Sequence, residues 1–280
     1  MYLYSYRKRP NFGDALNDYL WPRFIEIPLD ATPSAEEAFV GIGTLLNEHL
    51  PRTRILHIFG SGLGYGSVTP EATANWQVHF VRGPLTAKAL NLDPKLAVTD
   101  PGLLLHLTDH KDAKKDIDCA FMPHHTLCSE RMQRLCEQAG LHFIHPEAPC
   151  EKVIDQIARS HRLVCSAMHG AIAAEALRVP WLPVTTNRQM LLSKWDDWAA
   201  SVDTSIRFHN LPVIWAKPAP SVVGKITARI KAAAFRQKLE RLARSRAFQL
   251  GTDAVLNDRL SRICEHIEIF NRQQLLRREA

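Results

Sequence analysis

Long hydrophobic runs are missing from this chain. No stretch approaches the roughly 20 apolar residues that cross a bilayer as a helix. The opening residues, MYLYSYRKRP, lack the apolar core of a signal peptide, so a cytoplasmic protein is expected. Cysteine is present at 119, 128, 136, 150, 165 and 264, but no Cys-x-x-Cys pair or zinc-ligand spacing occurs. Reduced, buried thiols are therefore expected, and no metal site. No Gly-Lys-Ser/Thr follows the glycine-rich loop, which excludes a Walker-type nucleotide loop, and no repeat or low-complexity tract interrupts the chain. What remains is ordinary globular material: 280 residues, 46% hydrophobic and 23% charged, enough for one large domain or two modest ones.

The net charge of +6 is unevenly placed. Between Ser221 and Leu250 stand Lys225, Arg229, Lys231, Arg236, Lys238, Arg241, Arg244 and Arg246 against Glu240 alone. That segment carries +7 and leaves the remainder at −1. A local anionic partner is implied rather than a generally cationic protein. The same segment reads as a helix with Val222, Ile226, Ile230, Ala233, Phe235, Leu239 and Leu242 as one apolar stripe. We expect Ser221–Phe248 to meet an anionic inner-leaflet surface, not nucleic acid.

The stretch LVCSAMHGAIAAEALRVPWLPV, residues 163–184, organises the rest. Leu163–Cys165 has the apolar, β-branched character of a buried strand, Ala171–Leu177 reads as a helix, and Trp181–Val184 as a second strand. A βαβ unit results, with His169 and Gly170 in the turn at the strand's carboxyl end, where open α/β sheets bind ligands. Gly170 permits close backbone approach, and the helix start behind it suits an anion. The imidazole of His169 suits proton transfer, although a turn-stabilising hydrogen bond would also account for it.

Other strand ends carry comparable signals. Tyr2–Tyr6 is a short strand, followed by Asn11–Phe12–Gly13–Asp14 and a helix over Ala15–Leu20; Asn11 or Asp14 caps it or meets a ligand. Phe39–Ile42 is a strand and Leu45–Leu50 a helical stretch. Ile55–Phe59 runs into Gly60–Ser61–Gly62–Leu63–Gly64–Tyr65–Gly66, a loop whose amides can face an anion, though it fails the dinucleotide glycine pattern. Gln77–Val81 leads to Arg82–Gly83–Pro84, with Pro84 preset for a helix start. Arg82 suits bidentate contact with a carboxylate or phosphate, and equally an ion pair. Leu96–Val98 leads to Thr99–Asp100–Pro101, and the charged DHKDAKKDID run at 109–118 reads as a domain linker. Beyond it Cys119–Met122 is a strand ending in Pro123–His124–His125. Lys194 follows the last strand of this half, and Trp195 and Trp198 read as packing residues. Asp253–Leu276 closes the chain as a helix. The fold class expected is α/β: two Rossmann-like domains facing a cleft, residues 1–110 and 111–217, with a basic helical segment over 218–280.

Taken in order, Asn11–Asp14, Gly60–Gly62, Arg82–Pro84, Thr99–Pro101, Pro123–His124 and Ser166–Gly170 resemble the motifs of the polysaccharide pyruvyl transferases, particularly the bacterial exopolysaccharide ketal-pyruvyl transferases of succinoglycan and xanthan synthesis. The resemblance covers roughly Tyr2 to Trp198. It implies a glycosyltransferase-B-like fold, phosphoenolpyruvate as donor, no cofactor, and transfer of pyruvate as a cyclic ketal onto a lipid-linked sugar at the inner face of the membrane. His169 matches the family's His-Gly histidine and, with Asp14, would be catalytic. Asn11, Gly13, Ser61, Gly62, Arg82, His124, Gly170 and Lys194 would bind substrate. Many members carry arginine two residues before that histidine; here Ala167 stands there, which shifts weight to Arg82, His124 and Lys194. Two rivals share the pattern. One is a nucleotide-sugar glycosyltransferase with Glu175 at a ribose, the other a non-catalytic membrane-associated assembly factor.

Overall fold

A computed structural model describes residues 1–64, 66–69, 73–186, 191–214 and 221–279. Tyr65 of the glycine-rich loop and the expected boundary at 217/218 lie outside those residues. The chain divides into two compact units: residues 1–105, 191–206 and 251–280 form the first, and 106–190 with 207–250 the second.

The first unit is built on four parallel strands in sequence order, β1 (Tyr2–Tyr4), β2 (Glu37–Val40), β3 (Ile55–Phe59) and β4 (Trp76–Phe80). Alternation sends Phe39 and Phe59 to one face, where the rings stack at 4.6 Å and Trp21 and Phe270 close edge-on. Ala38, Val40, Leu56 and Ile58 point the other way, onto Leu45, Leu46 and Ala87. A parallel sheet covered on both faces buries apolar residues on both. Helix α1 (Phe12–Phe24) brings Trp21, α2 (Pro84–Ala89) brings Ala87, and Phe270 comes from the final helix, α8 (Asp253–Glu279).

The second unit has five parallel strands: β5 (Ala120–Met122), β6 (His142–Phe143), β7 (Leu163–Cys165), β8 (Trp181–Thr185) and β9 (His209–Asn210). Their spatial order is β6-β5-β7-β8-β9, the doubly wound 2-1-3-4-5 order, whose direction reverses between β5 and β7. Phe121, Val164, Leu182 and Val184 face Met132 and Cys136 of α3 (Glu130–Gln138) and Phe235, Leu239 and Leu242 of α7 (Val222–Ala243). Helices α4 (Cys150–Ala158) and α5 (Met168–Ala176) pack on each other, and α5 packs on β7 and β8.

Several expectations are corrected. Leu45–Leu50 forms no helix, because the Leu46 amide donates to the Gly62 carbonyl instead of back along its own turn. The 109–118 run is no free linker. The division falls at 105/106, and Asp116 and Asp118 pair with Arg159 and Arg162, while Lys115 donates to the Ala158 carbonyl, all within the second unit. Nor is 218–280 a separate segment: α7 completes the second unit's core and α8 the first unit's. All six cysteines are free thiols. Burial pushes Cys119 up to about 12 and raises Cys136 and Cys165 as well, so these three are inert apolar fillers.

Candidate active site

In the first unit, most motif residues interlock with one another. Arg82 is fully buried, and its guanidinium donates from Nε to Asp197 Oδ2 at 3.2 Å, from Nη1 to Thr44 Oγ1 at 3.0 Å and from Nη2 to the Leu63 carbonyl at 3.1 Å. Asp197 lies on α6 (Leu192–Ser201), which returns to this unit 115 residues later. Its Oδ1 accepts from the amides of Leu85 and Thr86, and Oδ2 from the Thr86 hydroxyl at 2.6 Å. Those amides belong to the first turn of α2, whose cap residue Gly83 has no side chain to offer. Asp197 therefore caps α2 from another helix. Gly83 is required for space, since a Cβ there would sit 2.1 Å from the Asp197 carbonyl oxygen. Arg-Gly-Pro is thus a socket for α6: Arg82 holds the carboxylate, Gly83 admits it and Pro84 starts the capped helix.

The glycine-rich loop follows the same pattern. Gly60 N donates to the Phe80 carbonyl, Gly62 N to the Gly43 carbonyl, and Leu63 N to Thr86 Oγ1. The Ser61 hydroxyl, fully buried, donates to the Gly41 carbonyl. Gly62 faces the guanidinium so closely that a Cβ would lie 2.2 Å from Arg82 Cζ, and Gly60, at φ +80°, packs on Pro101. Ser61, Gly62 and Arg82 were expected to face a donor anion. In the structure the Ser61 hydroxyl, the Gly62 amide and three Arg82 nitrogens donate to protein acceptors and shape the sheet edge from within.

At the same edge Asn11 caps α1, accepting from Asp14 N at 3.0 Å while its amide donates to the Asp14 carboxylate. Gly13 is buried in that first turn rather than open to a ligand. Asn17, which sequence reasoning missed, is fully buried; its amide donates to the Ile42 carbonyl, and its oxygen accepts from Ile42 N and Trp21 Nε1. An asparagine within the apolar positions of α1, one turn before Trp21, was the available signal. Lys194 is partly buried, and its ammonium is pulled down to about 8, first by burial and then by the nearby Arg82 charge, with Asp14 opposing. Trp195 and Trp198 are fully buried packing residues, as expected.

In the second unit the strand-order reversal between β5 and β7 places Pro123–His124 beside Ser166. The His124 amide donates to Ser166 Oγ at 2.8 Å, and its ring Nδ1 lies 2.8 Å from Thr126 Oγ1. Helix α5 begins at Met168, earlier than expected, so His169 stands in its first turn rather than in a preceding loop. The cap residue Ala167 supplies no side-chain hydrogen bond. Gly170 seats this turn on the sheet, where a Cβ would meet Met122 Sδ at 2.9 Å. His124, Ser166, His169 and Gly170 are thus brought to one point of the sheet's carboxyl edge, the switch point at which doubly wound sheets hold ligands. Glu175, the residue on which the nucleotide-sugar rival relied, is buried and accepts from Trp181 Nε1 at 2.8 Å and pairs with Arg178 at 3.0 Å. Its carboxylate is a structural group.

A family model described as "Polysaccharide pyruvyl transferase" matches residues 56–188. Succinoglycan biosynthesis protein ExoV of Rhizobium meliloti (strain 1021) is 35% identical over 207 residues, covering 72% of this chain and 65% of that protein. Over residues 56–188 the chain is similar to the polysaccharide pyruvyl transferases. It spans just under two thirds of that relative's length. The matched region of the family contains both the Arg-Gly-Pro socket and the His169 turn, but not Asn11, Asp14, Lys194 or Asp197, which complete the first unit from outside it.

Proposed function

We propose that this chain transfers pyruvate from phosphoenolpyruvate to a sugar of a lipid-linked exopolysaccharide repeat unit, forming a cyclic ketal and releasing phosphate. Similarity to the pyruvyl transferase family together with the His169 turn at the second sheet's switch point supports this reading. Each unit is taken as a Rossmann-like domain, and the fold as glycosyltransferase-B-like. The donor's C3 gains a proton while one sugar hydroxyl oxygen bonds to C2. The C2–O bond to phosphate then breaks, and a second hydroxyl closes the ketal. One hydroxyl proton balances the methyl group formed at C3, and the other leaves with phosphate. No electrons are exchanged, so the reaction calls for no redox cofactor. His169 moves protons, assisted by Asp14. Lys194 supplies positive charge to a donor bearing about three negative charges, and His124 adds ring hydrogen bonding. The acceptor is held at the inner face of the cell membrane, and the basic Ser221–Phe248 segment supplies attraction for anionic lipid.

The test is product mass with phosphoenolpyruvate and, separately, sugar nucleotides offered as donors. Gain of pyruvate less one water, with release of phosphate, is the expected result. Hexose transfer with nucleotide release would overturn the reading. Lys194 provides a second check. As its ammonium loses its proton near pH 8, kcat/KM for the donor should fall through that range. Lys194→Arg, whose guanidinium stays charged, should hold the profile level to about pH 9.5. Coincident profiles for the two proteins would remove Lys194 from donor recognition.

A further inference from the structure

The apolar residues of α7 do not form the single stripe that their order suggests. Phe235, Leu239 and Leu242 are buried in the second unit's core, and Ala228 is buried with its carbonyl accepting from Arg131 at 2.9 Å. Val222, Ile226 and Ile230 lie on the opposite side, at exposures of 73%, 54% and 65%, with Val223 beside them at 74%. Val222 and Val223 are the most exposed large apolar side chains among the described residues. Spacings of four residues put Val222, Ile226 and Ile230 in one row along successive turns. Lys225, Arg229 and Arg236 border that row and are all exposed. No acidic residue occurs from Ser221 to Gln237.

We infer that the first half of α7 is a membrane-inserting face, with Val222, Val223, Ile226 and Ile230 entering the acyl boundary and Lys225, Arg229 and Arg236 at anionic headgroups. An apolar row bordered by exposed cations is the pattern of an interfacial helix. It suits a second copy of this chain poorly. A two-fold contact sets the patch against itself, so Lys225 and Arg229 would meet like charges, while Glu240 is already paired with Arg236 at 3.7 Å. The buried second half of the helix fixes the exposed first half to the second unit, so the face is presented by a rigid element. No described helix is long and apolar enough to cross a membrane, and the contact is peripheral. The inference rests on the reading of a lipid-linked acceptor for its purpose, but not for its test.

That test is co-sedimentation with vesicles of phosphatidylcholine alone or with phosphatidylglycerol, free of sugar-lipid and phosphoenolpyruvate. The result is then independent of whether the chain transfers pyruvate. Wild type is expected to pellet with the anionic vesicles and to keep a salt-resistant fraction. Lys225→Gln, Arg229→Gln and Arg236→Gln should weaken binding about fivefold for each charge near the surface. Ile226→Ser with Ile230→Ser should weaken it at least about tenfold and leave only binding that salt abolishes. Both side chains are exposed, so circular dichroism and melting should match wild type. Undiminished pelleting of the isoleucine variant would overturn the inference. So would a concentration-dependent dimer in solution that the same variant abolishes, since that would assign the face to a second copy.

Discussion

His169→Gln should lower turnover by roughly 10²–10⁴-fold while the protein melts as wild type does. The magnitude follows from the chemistry proposed. Protonating the enol carbon and relieving two hydroxyls of their protons are steps that a positioned acid–base group accelerates, and glutamine retains hydrogen bonding without titrating. The fold should tolerate the change because His169 lies in the first turn of α5, and the apolar seat of that turn is made by Gly170 on Met122 and Cys165. Single-turnover phosphate release from phosphoenolpyruvate is the measurement, with a thermal melt alongside. A folded His169→Gln protein with near-normal turnover would reduce the imidazole to a turn residue and move proton transfer elsewhere.

The sequence made that turn legible because its neighbours are unambiguous. An apolar β-branched run, a small-residue helix and Pro180 can be arranged in few ways, and Leu163–Cys165 forms a strand over the residues expected. The helix start was misplaced by three residues, since Met168–Gly170 carries neither a strong helix signal nor a side-chain cap. Strand order was not legible. Nothing local distinguishes β6 paired outside β5 from β6 paired inside it, yet that choice brings His124 against Ser166.

Long-range partnership defeated the reading of the first unit. Each motif there was recognised, but a motif shows which residues are constrained and not what constrains them. Arg82 at a strand's carboxyl end invites an anion, and the anion is Asp197, an ordinary-looking residue between two tryptophans. Likewise α6 and α8 join a sheet whose strands end before residue 106, a discontinuity that composition does not reveal. In α7 most of the apolar residues were identified, though not Val223 or Ala228, and their faces were not. Seven residues spanning 21 positions mixed an exposed row with a buried one.

Arg82→Ala should therefore destabilise the protein before it alters donor affinity. The substitution leaves the Asp197 carboxylate buried without its guanidinium, and breaking a buried pair by removing one partner costs about 3–5 kcal/mol. Against a total stability of roughly 5–15 kcal/mol, that is enough to unfold a substantial fraction on warming. The damage spreads by named contacts. Asp197 still accepts from Leu85 N, Thr86 N and the Thr86 hydroxyl, but the Leu63 carbonyl and Thr44 hydroxyl lose their donor, and a void opens against Gly62. Arg82→Lys should fall between, keeping one charge but not the fork that reaches three acceptors. Asp197→Asn should be milder than Asp197→Ala, because the amide oxygen still caps α2. Urea melts of the four variants decide the matter. If Arg82→Ala melts with wild type and only KM for phosphoenolpyruvate rises, the guanidinium faces the donor and the socket is not what holds α6 in place.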